Sequence, residues 1–357
     1  MPKHKATIKD VARHAGVVPS TVSHVLSGKR PISEETRQRV MEVIRALDYV
    51  PSHSARSLAS HRAFAIGLVL PYDRATTALN PYFLELMEAI SLKAQEHGYG
   101  CLLVPQGASE ALELLAEAIS SHRVDGFIIV DPGLDSRLVD FLLAEQVPFV
   151  FLGTPELEGD FYVVDNDNEA IADQIIQHLV DLEYPRLGII SGDEALAVNG
   201  QYMAGCARAI ACNDGQLGLV RFATGDFSEE SGYQAARRLV EELGTPAALF
   251  AFNDLMAVGA MRAIRDLGLR VPDDVAVVGS GDSQLASVSQ PPLTSMRLHV
   301  DRMGAEASEK LIGLLAGEEP DERLTTIPAE LVVRRSTERQ TGSQRDTRGK
   351  EVASEIP

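Results

Sequence analysis

Thr7-Ile-Lys-Asp-Val-Ala-Arg-His-Ala-Gly-Val17 reads as a capped helix that stops at a turn, and Pro19-Ser-Thr-Val-Ser-His-Val-Leu-Ser27 as a second helix beginning directly after it. Thr7 and Asp10 have capping-box spacing, in which the Thr hydroxyl accepts from the third backbone N–H of the helix. Ile8, Val11, Ala12 and Ala15 form a small apolar stripe at helical spacing. Gly16 supplies the turn, and Pro19 suits a first helical position. In the second helix Val22, Val25 and Leu26 share the face expected to be buried, while Ser20, Thr21, Ser23 and His24 are expected to point outward. A third helix is expected after Ser33, a good N-cap followed by Glu34 and Glu35 in the first turn, with Val40, Val43, Ile44 and Leu47 as its buried stripe. Three short helices with a glycine turn between the first two predict a helix-turn-helix.

The charge distribution points the same way. Of 357 residues, the first 62 hold 11 Lys/Arg against 5 Asp/Glu, whereas the whole chain has a net charge of −18, so the remainder is strongly acidic. His4, His14, His24, His53 and His61 also lie in the basic part. A basic head on an acidic body is the pattern expected when one segment meets phosphate and the rest does other work. Small hydroxyls followed by one longer imidazole suit base edges in a major groove, although an exposed Ser, Thr or His is often only a solvated surface.

The run from Thr7 to Val17, with Ser20-Thr-Val-Ser-His-Val-Leu-Ser-Gly28, Thr36-Arg-Gln-Arg-Val40 and Leu47-Asp-Tyr-Val-Pro51, resembles the amino-terminal signature of the LacI/GalR family of transcriptional regulators. That resemblance implies a domain over residues 1–50 that reads operator DNA. His24 falls where purine and ribose repressors carry a base-contacting histidine. Thr7, Pro19, Ser20, Thr21, Ser23, His24, Arg56 and Leu58 are the implied DNA contacts. Val18 departs from the pattern, because most members have a serine there that caps the second helix. Residues 51–62 resemble the family's hinge helix, which is too short to be stable alone in water. Leu58 falls on the leucine that wedges into the minor groove and kinks the duplex; taken without the resemblance, it is an ordinary helix leucine. Ala59 stands where purine-repressor-like members have a lysine.

From residue 63 onward apolar runs alternate with helical stretches. Strands are expected at 65–70, 100–104, 126–130, 149–152, 162–164, 187–190, 219–222, 248–252 and 275–278, with helices including 82–95, 109–122, 136–144, 169–182, 230–243 and 255–267. Such βαβ alternation implies an α/β fold with parallel sheets, here two doubly wound lobes over residues 63–337. Asn80-Pro-Tyr-Phe83, Val124-Asp-Gly-Phe127, Asp165-Asn166, Phe252-Asn-Asp254 and Glu330–Thr337 resemble the periplasmic sugar-binding fold. Ligands of such sheets sit beyond the carboxyl ends of the strands. By resemblance, Tyr82, Phe83, Asp165, Tyr202, Asn253 and Asp282 are the effector-binding candidates. Tyr82 and Phe83 have a structural alternative as helix anchors and Asp165 and Asp282 as cap or turn residues, and Asp254, next to Asn253, is adequately explained as an N-cap. Two departures bear on the ligand, since Tyr202 replaces a typical arginine and Gly281 a typical aspartate.

Hydrophobic residues at 45% and charged residues at 24% exclude wholesale disorder. Cys101, Cys206 and Cys212 are too few and too irregular for a disulfide framework or a cysteine zinc site. With neither a secretory signal nor a membrane-length apolar run, a soluble cytoplasmic protein is expected. No phosphate-binding loop, nucleophile elbow or metal-spaced histidine pair is present, so no enzyme activity and no cofactor are expected. The polar tail, 338–357, is expected to be disordered and lacks the leucine heptads of tetrameric members, which leaves a homodimer. The partners expected are pseudo-palindromic double-stranded DNA and a small effector, possibly a carbohydrate; the alternative is a regulator that answers to a protein partner or to no small molecule.

Overall fold

The computed structural model describes residues 6–27, 30–49, 57, 60, 62–71, 80–106, 111–130, 137–155, 157–213 and 215–338. The expected hinge helix over 51–62, including Arg56, Leu58 and Ala59, lies outside these residues except at three positions, and the tail beyond 338 lies wholly outside them.

The head is three helices, α1 (Ile8–Ala15), α2 (Pro19–Ser27) and α3 (Glu34–Ala46). Thr7 caps α1 in a full capping box: its Oγ1 accepts from Asp10 N–H, and its own N–H donates to Asp10 Oδ2 at 3.0 Å. Gly16 ends the helix at φ +66°, a left-handed conformation that favours glycine. Ser33 caps α3 by accepting from Thr36 N–H. Val11, Ala12, Ala15, Val22, Val25 and Val40 form the core, closed by Tyr49. Arg39 Nε donates to Ala15 O at 3.0 Å and locks α3 over the end of α1. Leu26 departs from expectation, because it is exposed. A core of six small side chains and Tyr49 takes in Val22 and Val25, and the last turn of α2 extends beyond it.

The body holds β1 (Ala65–Pro71), α4 (Pro81–Glu96), β2 (Gly100–Gln106), α5 (Ala111–Ser120), β3 (Gly126–Val130), α6 (Arg137–Ala144), β4 (Phe149–Leu152) and β5 (Val163–Asp165) in its first lobe. The second lobe follows with α7 (Asn168–Asp181), β6 (Arg186–Ser191), α8 (Ala197–Cys212), β7 (Leu219–Thr224), α9 (Glu229–Leu243), β8 (Ala247–Ala251), α10 (Asp254–Asp266), β9 (Val275–Gly281), α11 (Gln284–Val288) and β10 (Thr294–Arg297). The chain then returns to the first lobe for α12 (Val300–Ala316) and β11 (Leu324–Thr326), and ends in the second with β12 (Glu330–Val332).

The sheets have orders β11-β5-β4-β3-β1-β2 and β12-β10-β9-β8-β6-β7. In the first, side chains alternate between faces: Ile66, Leu68 and Ile128 pack under α4 and α12, while Val69, Phe127 and Ile129 pack under α5 and α6. Sequence reading gives no strand at β10, β11 or β12, which are three or four residues long, and does not name α8, α11 or α12. Gly205 on α8 sits where a Cβ would come within 2.3 Å of the Glu169 carbonyl, so its lack of a side chain lets α8 press against α7.

Among the described residues all strand pairs are parallel except β10 with β12. The reason is geometric. Strands of both sheets end at the interlobe cleft, so a segment crossing from one lobe to the other enters at that end and runs away from it. The chain crosses at 166–167, 298–299 and 327–329. The first two crossings launch helices, α7 and α12; the third launches β12, necessarily antiparallel. Asn166 Nδ2 ties all three together, donating to Leu298 O at 3.1 Å and Ile327 O at 2.8 Å.

Candidate nucleic-acid interface and interlobe cleft

On α2, Pro19 and Ser20 are exposed and Thr21, Ser23 and His24 half-buried; Ser20, Ser23 and His24 lie away from the buried Val22 and Val25, while Thr21 borders Val25 at i+4 spacing. The Thr7 hydroxyl is already engaged in its capping box, donating to Asp10 Oδ2 at 2.7 Å. That bond, then the Thr7 N–H, hold the Asp10 carboxyl below the usual aspartate range, and Arg13 adds to the effect. Val18 occupies the cap position of α2. Its carbonyl accepts from Thr21 N–H at 2.9 Å, but its side chain, 60% exposed, can satisfy no helix N–H.

Between the lobes lies a cavity of about 330 Å³, within the range of small-molecule sites. Tyr82, Phe83, Asp165, Tyr202 and Asn253 all line it. The Asn80 side chain caps α4 by accepting from Tyr82 N–H at 3.1 Å, and Pro81 fixes the first turn, so both aromatic rings enter at the cleft. Phe83 is nearly buried and packs with the first lobe's core, edge-on to Tyr82 at 5.3 Å.

Asp165 ends β5 with both oxygens occupied. Oδ2 accepts from Thr154 N–H and hydroxyl at 2.8 and 2.7 Å; Oδ1 accepts from Asn166 N–H and Asn168 Nδ2 at 2.7 and 3.2 Å. Burial pushes its carboxyl up, and these bonds pull against that rise. Asn253 is the N-cap of α10: Oδ1 accepts from Met256 N–H at 2.8 Å and Nδ2 donates to Phe227 O at 2.9 Å. Asp254 is therefore the first helical residue rather than the cap. Its buried carboxylate accepts from the Ser283 N–H and hydroxyl and from the Ser295 hydroxyl, holding the β9–α11 turn.

Tyr202 is buried on α8 as part of the cavity floor. Its ring lies 4.9 Å from that of Phe252, and its hydroxyl pairs with Ser280 Oγ at 2.8 Å. Burial drives its phenol pKa well upward, so it acts as a neutral hydroxyl. Asp282 does not line the cavity. Its side chain, 4% exposed, is bound by Arg297 Nε at 2.8 Å and forms an ion pair with Arg334 Nη2 at 2.6 Å, outside hydrogen-bond geometry. The two arginines approach it from β10 and from the segment after β12, and the left-handed φ of +50° at Asp282 sits in the turn they hold.

Sequence reasoning missed Glu85, Phe227, Phe252, Gln201 and Ser280 as cavity-lining residues. Glu85 stands at i+3 from Tyr82, which a helical-face argument would have found. Phe227, Phe252 and Ser280 lie at or just beyond strand ends, where ligands of such sheets are met. Among the described residues no helix is long and apolar enough to cross a membrane, and no cluster of three or more His, Cys, Asp or Glu side chains could hold a metal ion.

Residues 7–52 match the model for bacterial regulatory proteins of the lacI family, and residues 176–337 match a periplasmic binding protein-like domain. The HTH-type transcriptional repressor PurR of Mannheimia succiniciproducens is 32% identical over 343 residues, covering 94% of this chain and 99% of the relative. Among solved structures, the lac repressor dimer bound to operator and the anti-inducer ONPF aligns with a TM-score of 0.78 at 29% identity, over 94% of this chain and 99% of that one. A complex of the transcriptional regulator CelR with cellobiose aligns with a TM-score of 0.71 at 29% identity, over 93% and 99%. A capped helix-turn-helix joined to a two-lobed body, matched over nearly its whole length by such proteins, makes this chain a member of the LacI family of DNA-binding transcriptional regulators, not an enzyme.

Proposed function

We propose that the protein is a cytoplasmic homodimeric repressor whose operator affinity is set by a small polar effector, a sugar or related metabolite, held in the interlobe cleft. The head over 1–50 reads DNA through Ser20, Thr21, Ser23 and His24, with Thr7 and Pro19 at helix starts. The hinge over 51–62 contributes Arg56 and Leu58. The body over 63–337 binds effector through Tyr82, Phe83, Tyr202 and Asn253. Asp165 shapes that site by holding the first crossing. Asp282 is set aside as a ligand contact, since two arginines hold it away from the cavity.

One observation carries the regulatory half of this reading. The cavity lies between two lobes that the chain links at three crossings, which Asn166 fastens at one point. A ligand touching both lobes binds their open and closed arrangements differently, and only that difference can change DNA affinity. The operator-bound lac repressor dimer and the cellobiose complex of CelR support both the DNA partner and the effector.

The DNA half is tested by His24→Ala. If His24 reads a base, the variant loses about 1–3 kcal/mol at one base position in each half-site and relaxes the choice of base there. Equal losses on operator and random DNA would assign His24 to phosphate or to no contact. The effector half is tested by calorimetry followed by operator binding with the same compound.

A further inference from the structure

Five carboxylates line the interlobe cavity, those of Glu85, Asp165, Asp193, Asp226 and Asp254, and among the described residues no Lys, Arg or His does. Four of the five already have work in the protein. Asp165 and Asp254 accept hydrogen bonds at both oxygens. Asp193 and Asp226, exposed at the mouth, each accept a backbone N–H two residues on, from Ala195 and Ser228.

Glu85 is different. It is half-buried, one turn beyond Tyr82, and makes no hydrogen bond or ion pair with any described residue. Burial, then the charges of Asp254, Asp282, Asp301 and Glu88, push its carboxyl up. A second cavity on its other side holds Arg297 and His299, but Arg297 is paired with Asp282 and Glu330.

We infer that the effector carries a positive charge, an amine or other protonated nitrogen set against Glu85, with an apolar face on Tyr82, Phe227 or Phe252. The inference rests on the effector reading above and names the chemical class of its ligand. A half-buried carboxylate that no described residue pairs has its oxygens open to the cavity, and a bound cation supplies the opposite charge. Aromatic faces attract the same cation. A concave site with carboxylates alone concentrates cations and repels anions.

The test is calorimetry on the full-length protein with two matched trios. One is the glucosamine disaccharide, cellobiose and cellobiuronate; the other is tryptamine, indole-3-ethanol and indole-3-acetate. In at least one trio the amine is expected to bind roughly ten- to hundredfold more tightly than its neutral analogue. Glu85→Gln should erase that preference without lowering the melting temperature, and Glu85→Asp, which keeps the charge at shorter reach, should retain part of it. A preference that survives Glu85→Gln overturns the inference. So does tighter binding by an anion. Neutral or anionic members binding while amines do not overturns the charge assignment and leaves the effector reading standing. No binding by any member, with operator affinity unchanged throughout, removes both.

Discussion

Tyr202→Phe deletes one hydroxyl from the floor of the cleft and leaves the ring stack on Phe252 intact. The partner it abandons is Ser280 Oγ, 2.8 Å away and 3% exposed as a residue. Leaving a buried hydroxyl without a partner costs about 1–3 kcal/mol. Ser280 borders the cavity, where a water molecule can take the place of the lost hydroxyl, so the expected loss is at the lower end, about 1–2 kcal/mol. For a body of this size that lowers the melting temperature by roughly 2–8 °C. Ser280→Ala alone strands the phenol and costs a similar amount. The double variant removes both hydroxyls and should cost little more than either single change, a coupling on the order of 1 kcal/mol. The chain contains no tryptophan, so unfolding is followed by circular dichroism in urea rather than by indole fluorescence. Additive losses would refute the reasoning, because they would mean that each hydroxyl is separately solvated from the cavity and that the pair fixes nothing.

Asn166→Ala removes the donor that fastens the three crossings and leaves the Leu298 and Ile327 carbonyls without it. Its cost is about 1–3 kcal/mol, and the change in operator affinity on adding effector should be altered even where effector binding itself persists; an unchanged response would show that the crossings are held elsewhere. In the head, the pKa of Asp10 is lowered by folding, so its contribution to stability is present above the unfolded value and is lost as pH falls from about 4 through the folded value. Thr7→Ala removes the largest cause of that lowering, and hydrogen exchange of α1 amides should then show an unfolding less dependent on pH below 4. An identical pH profile in the variant would place the stabilisation in the Thr7 N–H bond and the Arg13 pair, both of which the substitution leaves in place.

Local chemistry was enough to specify much of this protein. Thr7 with Asp10, Gly16, Pro19 and Ser33 fix where the helices of the head begin and end, because a cap or a left-handed turn is settled within three or four residues of chain. Alternating apolar runs and helical stripes likewise imply two parallel-sheet lobes, and the family resemblance, not periodicity, singles out Tyr82, Phe83, Asp165, Tyr202 and Asn253, which line one cleft. The three-dimensional course of the chain decided the rest. Leu26 has the periodicity of a core residue, yet the described residues of the small head leave it exposed. Asp282 has the position of a ligand contact, yet Arg297 and Arg334 reach it first. The antiparallel β12 follows from the side on which the third crossing enters its sheet. Asn166 bonds to residues 132 and 161 positions away, and Glu85 faces carboxylates of the opposite lobe. Periodicity and capping act over a few residues, whereas these contacts exist only because the chain crosses the cleft three times and brings distant segments to the same wall.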